Sequence, residues 1–111
     1  RNVVVDFAGR EQAATAARIS NELRLTLAEK DFLNAQFYFR RRMYDSAIKY
    51  YEFVVNLYPE SEFAPQALLG LYHSNLRIGY EDLADEARDR LLREYPESEA
   101  AQEIRTDDGS G

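Results

Sequence analysis

The tetrapeptide Tyr-Pro-Glu-Ser occurs twice in this chain, at 58–61 and again at 95–98, a separation of 37 residues. The likeness runs past the four letters. The first copy continues YPESEFAPQAL and the second YPESEAAQEI, and Ala47 and Ala84 each stand eleven residues before their tyrosine. Hydrophobic pairs, Val54-Val55 and Leu91-Leu92, precede each copy. A period between about 20 and 50 residues marks a repeat array, in which each unit buries its apolar face against the next. Proline pushes the residue before it out of the α region, and a serine hydroxyl can cap the helix that follows. YPES therefore reads as a helix stop followed by a helix start, with the tyrosine anchoring the turn to the core.

Glycine and proline divide the rest. None occurs between Gly9 and Pro59, and residues 10–41 suit one long helix. Its stripe is Ala28, Phe32, Ala35 and Phe39, which Ile19, Leu23 and Leu27 extend toward the N-terminus. Arg40, Arg41 and Arg42 fall in its last turn, where positive charge complements the helix dipole. The turn is expected at Arg42–Met43. A second helix over 44–57 presents Tyr44, Ala47, Ile48, Tyr51, Val54, Val55 and Tyr58 inward and stops at Pro59. Ser61 is the expected cap of a third helix, with Pro65 in its first turn. That helix buries Ala64, Ala67, Leu68, Leu71, Tyr72 and Asn75 and ends near Gly79. A fourth, over 81–94, buries Leu83, Ala84, Ala87, Leu91 and Tyr95. Ser98 caps a short fifth helix ending near Arg105. The fold class is all-α: tetratricopeptide-like helical hairpins, an α-solenoid fragment with one long N-terminal helix. Residues 1–9 are expected to be an extended segment, because Val3-Val4-Val5-Asp6-Phe7 reads as strand. Residues 10–105 form the repeat domain and 106–111 a flexible tail.

Charge and composition narrow the partners. A net charge of −6 disfavours nucleic acid and anionic membrane surfaces and favours a basic or neutral protein. With no cysteine there are no disulfides, thiolate metal sites or cysteine nucleophiles. No apolar run approaches the ~20 residues of a membrane-spanning helix. His73 is the single histidine and reads as a helix-edge residue. The acids of the fourth helix (Glu81, Asp82, Asp85, Glu86, Asp89) read as a solvated face, with Glu86–Arg90 and Asp89–Arg93 pairs at i,i+4. Phosphate-loop and hydrolase motifs are missing, so no catalytic residues, metal ligands or cofactor are assigned.

The second helix carries an additional apolar stripe: Tyr50, Phe53 and Leu57, at i, i+3 and i+7. It packs against the long first helix or forms a docking face for another protein, with Lys49 and Asn56 as polar rim. Arg40 and Arg41 are candidates to meet an acidic partner group.

The run LRLTLAEKDFLNAQFYFRRRMYDSAIKYYEFVVNLYPESEFAPQALLGLYHSNLRIG, followed by LADEARDRLLREYPES, resembles the C-terminal part of the BamD family of outer-membrane assembly lipoproteins, which are tetratricopeptide-repeat proteins. The matching positions are Leu23, Leu27, Ala28, Asp31, Ala35, Phe37, Tyr38, Tyr44, Ala47, Ile48, Tyr58 and Pro59, and the likeness covers roughly residues 20–104. The resemblance implies a non-catalytic scaffold on the periplasmic face of the outer membrane. Its implied partners are the POTRA (periplasmic) domains of the barrel component BamA and other subunits of the assembly machine. The family's lipid-bearing cysteine and N-terminal repeats are not in this sequence, so any membrane anchor would belong to a longer lipoprotein. The chain begins at Arg1 and is expected to be a fragment or a processed product. A glycine usual at the first turn is replaced by Arg40-Arg41-Arg42-Met43, so either an arginine adopts awkward turn geometry or the first helix runs longer than expected. Two other readings stand beside this one. A CpoB-like periplasmic repeat protein of the Tol-Pal system resembles YPESEFAPQALLGLYHSNLRIG equally well, and a helical accessory domain of a cell-wall enzyme also fits. Two repeats are few for a stable stack, which leaves self-association open.

Overall fold

A computed structural model describes residues 3–107, with side-chain surroundings from residue 12 onward. Among the described residues there are five α-helices and no strand: α1 Val3–Arg40, α2 Tyr44–Leu57, α3 Phe63–Arg77, α4 Glu81–Glu94 and α5 Glu99–Arg105. Successive helices pack on one another, α1 on α2, α2 on α3 and α3 on α4, while α5 closes against α3 and α4. The chain is an all-α helical repeat.

Small residues set the helix spacing. Ala28, Ala35, Ala47, Ala64, Ala67, Ala84 and Ala101 are fully buried, one or two on each helix, and let the backbones approach closely. Leu68, Leu91, Ile104, Val54 and Val55 fill the space between them. One close approach is at Gly70, where a Cβ would overlap the Tyr51 ring. Burial there pushes the Tyr51 phenol up to about 12.

Two of the interhelix turns share one hydrogen-bond scheme. After α1, the Met43 N–H donates to the Tyr38 carbonyl (2.9 Å) and the Arg42 N–H to the Phe39 carbonyl (2.9 Å). After α3, the Tyr80 N–H donates to the Asn75 carbonyl (2.8 Å) and the Gly79 N–H to the Leu76 carbonyl (3.2 Å). Both are Schellman motifs, which need a left-handed residue just past the helix. Gly79 supplies it at φ 86, and Arg42 supplies it at φ 61, so of the two expectations for this turn the strained arginine is the one realised.

Several expectations are corrected. The segment expected to be extended is helical from Val3, seven residues before the expected helix start. Once a helix is nucleated, each further residue adds a hydrogen bond for little cost, which outweighs the weak strand preference of three valines. Ser61 does not cap α3; its hydroxyl is buried without a hydrogen-bond partner, and Glu62 takes the N-cap position. Leu83 is 47% exposed rather than buried, and Ile19, Leu23 and Leu27 lie on open stretches of α1. Glu86–Arg90 and Asp89–Arg93 pairs do not form; Arg90 pairs with Glu94 (3.1 Å) and Arg88 with Asp89 (3.2 Å). Exposed pairs of this kind differ by only tenths of a kcal/mol, so rotamer choice decides among them. In the expected tail, Thr106 keeps helical backbone and the Asp107 carboxylate lies 3.5 Å from His73 Nε2. Residues 1–2 and 108–111 lie outside the described residues.

Helix lengths leave part of α1 uncovered. At 1.5 Å per residue α1 runs about 57 Å and α2 only about 21 Å. Arg24 marks where α2 gives out: its guanidinium donates to the Leu57 carbonyl (2.6 Å) and to the Glu60 carboxylate (2.9 Å). Residues 12–23 are exposed throughout.

Candidate protein-docking surface

The second stripe of α2 meets α1 at one place and is open elsewhere. Tyr50 stacks on Tyr38 with ring centres 5.6 Å apart and planes 10° from parallel. Phe53 stands edge-on to Tyr50 at 5.7 Å, and Phe37 edge-on to Tyr38 at 5.3 Å. The Arg41 guanidinium lies over the Phe37 ring at 3.6 Å and donates to the Phe37 carbonyl (3.2 Å). These contacts join into a ladder of four rings crossing from α1 to α2, with a cation at one end. Tyr38 and Tyr50 are half-buried and hold the ladder to the core, while Phe37 and Phe53 remain 42% and 36% exposed.

The structure sorts the candidates of the sequence. Arg41, Tyr50 and Phe53 belong to the ladder. Leu57, at the far end of α2, is half exposed, and Lys49 is exposed one helical turn before Phe53. Asn56, seven residues after Lys49 and so on the same face of α2, borders the stripe and also lines a groove beside Val55 and Glu52. Arg40 points away, lining a shallow depression with Phe39, Tyr51 and Gly70. Tyr50 thus packs on α1, whereas the Phe53 and Leu57 side chains remain partly exposed. Sequence reasoning missed Phe37 and Tyr38 as surface residues. The adjacent aromatics of the FYF run at 37–39 were the signal, since three neighbours on a helix cannot all face one core.

At the lower end of the same side, Arg24 holds Glu60 by its Nε and Nη2, and this bond keeps the Glu60 carboxyl below its ordinary range. Burial pushes the Asp31 carboxyl up, against the opposing effect of Lys30. An apolar surface rimmed by Arg41 and Lys49 can bind a protein face that offers an apolar contact and a carboxylate. No group of three or more metal-ligating side chains occurs among the described residues.

The sequence model of the family YfiO, outer membrane lipoprotein, matches residues 2–91. This chain belongs to that family. The YfiO match spans α1 to α3 and most of α4, and so contains the whole aromatic ladder. YfiO is the BamD family of non-catalytic assembly lipoproteins, whose members act in a protein complex. No curated protein and no solved structure matches the chain.

Proposed function

We propose that this chain is the docking portion of a BamD-like scaffold in outer-membrane β-barrel assembly, working on the periplasmic face of that membrane. Its partner in this reading is the POTRA region of BamA. The observation that carries the reading is the family match over residues 2–91, which contains an exposed aromatic ladder with a cationic rim. Aromatic and arginine side chains are the usual anchors of protein interfaces. Binding is equilibrium docking of preformed surfaces: Tyr38 and Tyr50 fix the ladder, and Phe37 and Phe53 supply apolar contact. Arg41 and Lys49 orient the partner.

Calorimetric titration with the membrane-proximal POTRA domain of the same organism tests this. Micromolar or tighter binding is expected, weakened about tenfold by Phe53→Ala combined with Lys49→Ala at unchanged helicity. No detectable heat at two temperatures, from a chain shown to be folded, would overturn the reading. Tyr50→Ala combined with Phe53→Ala is the harsher variant, and a loss of helicity there would assign the Tyr38–Tyr50 stack to the core.

A further inference from the structure

The long helix α1 is apolar on two sides. One side, with the buried Ala28, Phe32 and Ala35, packs on α2 and α3. The other carries Ile19, Leu23, Thr26, Lys30, Leu33 and Phe37, spaced by 4, 3, 4, 3 and 4 residues. This is the alternating spacing of a coiled-coil seam. From Ile19 to Phe37 is five whole turns, so the row stays on one side of a straight helix. Ile19 lies half a turn around the helix from Ala28, which is why it does not join the core. Ile19, Leu23 and Leu33 are each more than half exposed, and Phe37 is 42% exposed.

Reversed, the row is complementary to itself. When two copies of α1 lie antiparallel and cross at the level of residue 28, Ile19 faces Phe37 of the second copy, Leu23 faces Leu33 and Thr26 faces Lys30. Every large apolar side chain then meets another, and the two polar positions meet each other. Glu22 and Glu29 flank Thr26 on its own helix face, so the Lys30 ammonium arrives between two carboxylates of the second copy. A parallel pairing in register sets Lys30 against Lys30, which repels. Sliding one copy by a heptad sets apolar side chains against Thr26 and Lys30. Counted over both copies, the four apolar residues of the row and the partly exposed Leu27 beside it offer roughly 1,000 Å² of surface, the lower bound of a specific interface.

We infer that two copies of this chain pair through the outer face of α1, antiparallel, about a two-fold axis level with Ala28. The interface is small and each copy carries a net charge of −6, so the dimer is weak, with a dissociation constant on the order of tens of micromolar. Phe37 belongs both to this row and to the aromatic ladder, so pairing covers one ladder residue. The inference does not rest on the partner proposed for the ladder.

Sedimentation equilibrium from low micromolar to near-millimolar chain concentration tests this. A monomer–dimer equilibrium is expected, and Leu23→Asp with Leu33→Asp should abolish it at unchanged helicity, because both side chains are exposed. The chain has no cysteine, so introduced thiols report the register. Leu23→Cys and Leu33→Cys chains are expected to cross-link when mixed and oxidised, and neither chain with itself, since like positions stand about 15 Å apart. Amides of residues 19–23, uncovered in the single chain, should exchange more slowly as concentration rises. A monomer at every concentration would leave the row to a helix from elsewhere and overturn the inference. So would Leu23→Cys linking to itself, or a dimer that survives both aspartates. Neither leucine belongs to the Phe37–Phe53 ladder, so POTRA binding by the double aspartate chain stays a separate readout.

Discussion

The two YPES turns begin alike and end differently. Tyr58 sits at φ −133, ψ 55 and Tyr95 at φ −132, ψ 53, and each N–H donates to the carbonyl four residues back, Val54 or Leu91. The next bond is also shared: the Ser61 N–H donates to the Tyr58 carbonyl at 3.0 Å and the Ser98 N–H to the Tyr95 carbonyl at 3.1 Å. From the serine onward the copies part. Ser98 is an extended N-cap whose hydroxyl accepts from the Ala101 N–H, and its carbonyl accepts from the Gln102 N–H at 3.2 Å. The residue at the place of Gln102 in the first copy is Pro65, which has no N–H to give. The Ser61 carbonyl instead accepts from the Ala64 N–H, one residue closer, at 3.2 Å. The first turn tightens, the cap position moves to Glu62, and the Ser61 hydroxyl is buried unpaired. A motif fixes local structure only as far as the residues beyond it allow.

The largest test of this pairing is at the tyrosines. Tyr58 is 9% exposed in the core, whereas Tyr95 is half-buried and reaches across to donate its hydroxyl to the Pro59 carbonyl at 2.6 Å. Tyr58→Ala is expected to cost about 3 kcal/mol in urea unfolding, and Tyr95→Phe about 1 kcal/mol. Equal costs would mean that the two turns are energetically interchangeable.

Next come the serines. Ser98→Ala should cost about 1 kcal/mol as a lost cap, while Ser61→Ala should be neutral or stabilising. In a Pro65→Gln background the asymmetry should shrink, because residue 65 regains the N–H that the second copy uses. Hydrogen exchange would report the new amide as protected, and Ser61→Ala would then become costly.

The glutamates should show the smallest effect. Glu60 is bonded to Arg24, which lowers its carboxyl from the ordinary 4.5, and Glu97 in the second copy has no such partner among the described residues. A depressed carboxylate stabilises the fold above its unfolded value, and that contribution fades as pH falls through its folded value. Melting temperature followed below pH ~4.5 should therefore depend on pH less steeply in Glu60→Gln than in the parent.

Much of this was legible in the sequence, because the signals were local. The bounds of α2 and α4 followed from a proline after each tyrosine and from small residues at fixed spacing. The missing glycine before Met43 left either a left-handed arginine or a longer helix, and Arg42 takes the first course. What periodicity could not tell was which apolar face has a neighbour. Leu83 and Leu23 sit on regular stripes as good as those of Leu91 and Phe32, yet one faces a groove and the other runs past the end of α2. The docking candidates shared that weakness. Lys49 and Asn56, seven residues apart, share one face of α2, but Asn56 also borders a groove with Val55 and Glu52.

The open half of α1 has a consequence for the timing of motion. Residues 12–23 form about three turns of solvent-exposed helix, and isolated helices of that length are marginal in water. Their amides should exchange by local fraying within a small fraction of the global unfolding free energy, while those at Ala28 and Ala35 wait for the whole stack to open. The single 38-residue helix would then behave as two segments with separate clocks, meeting near Arg24.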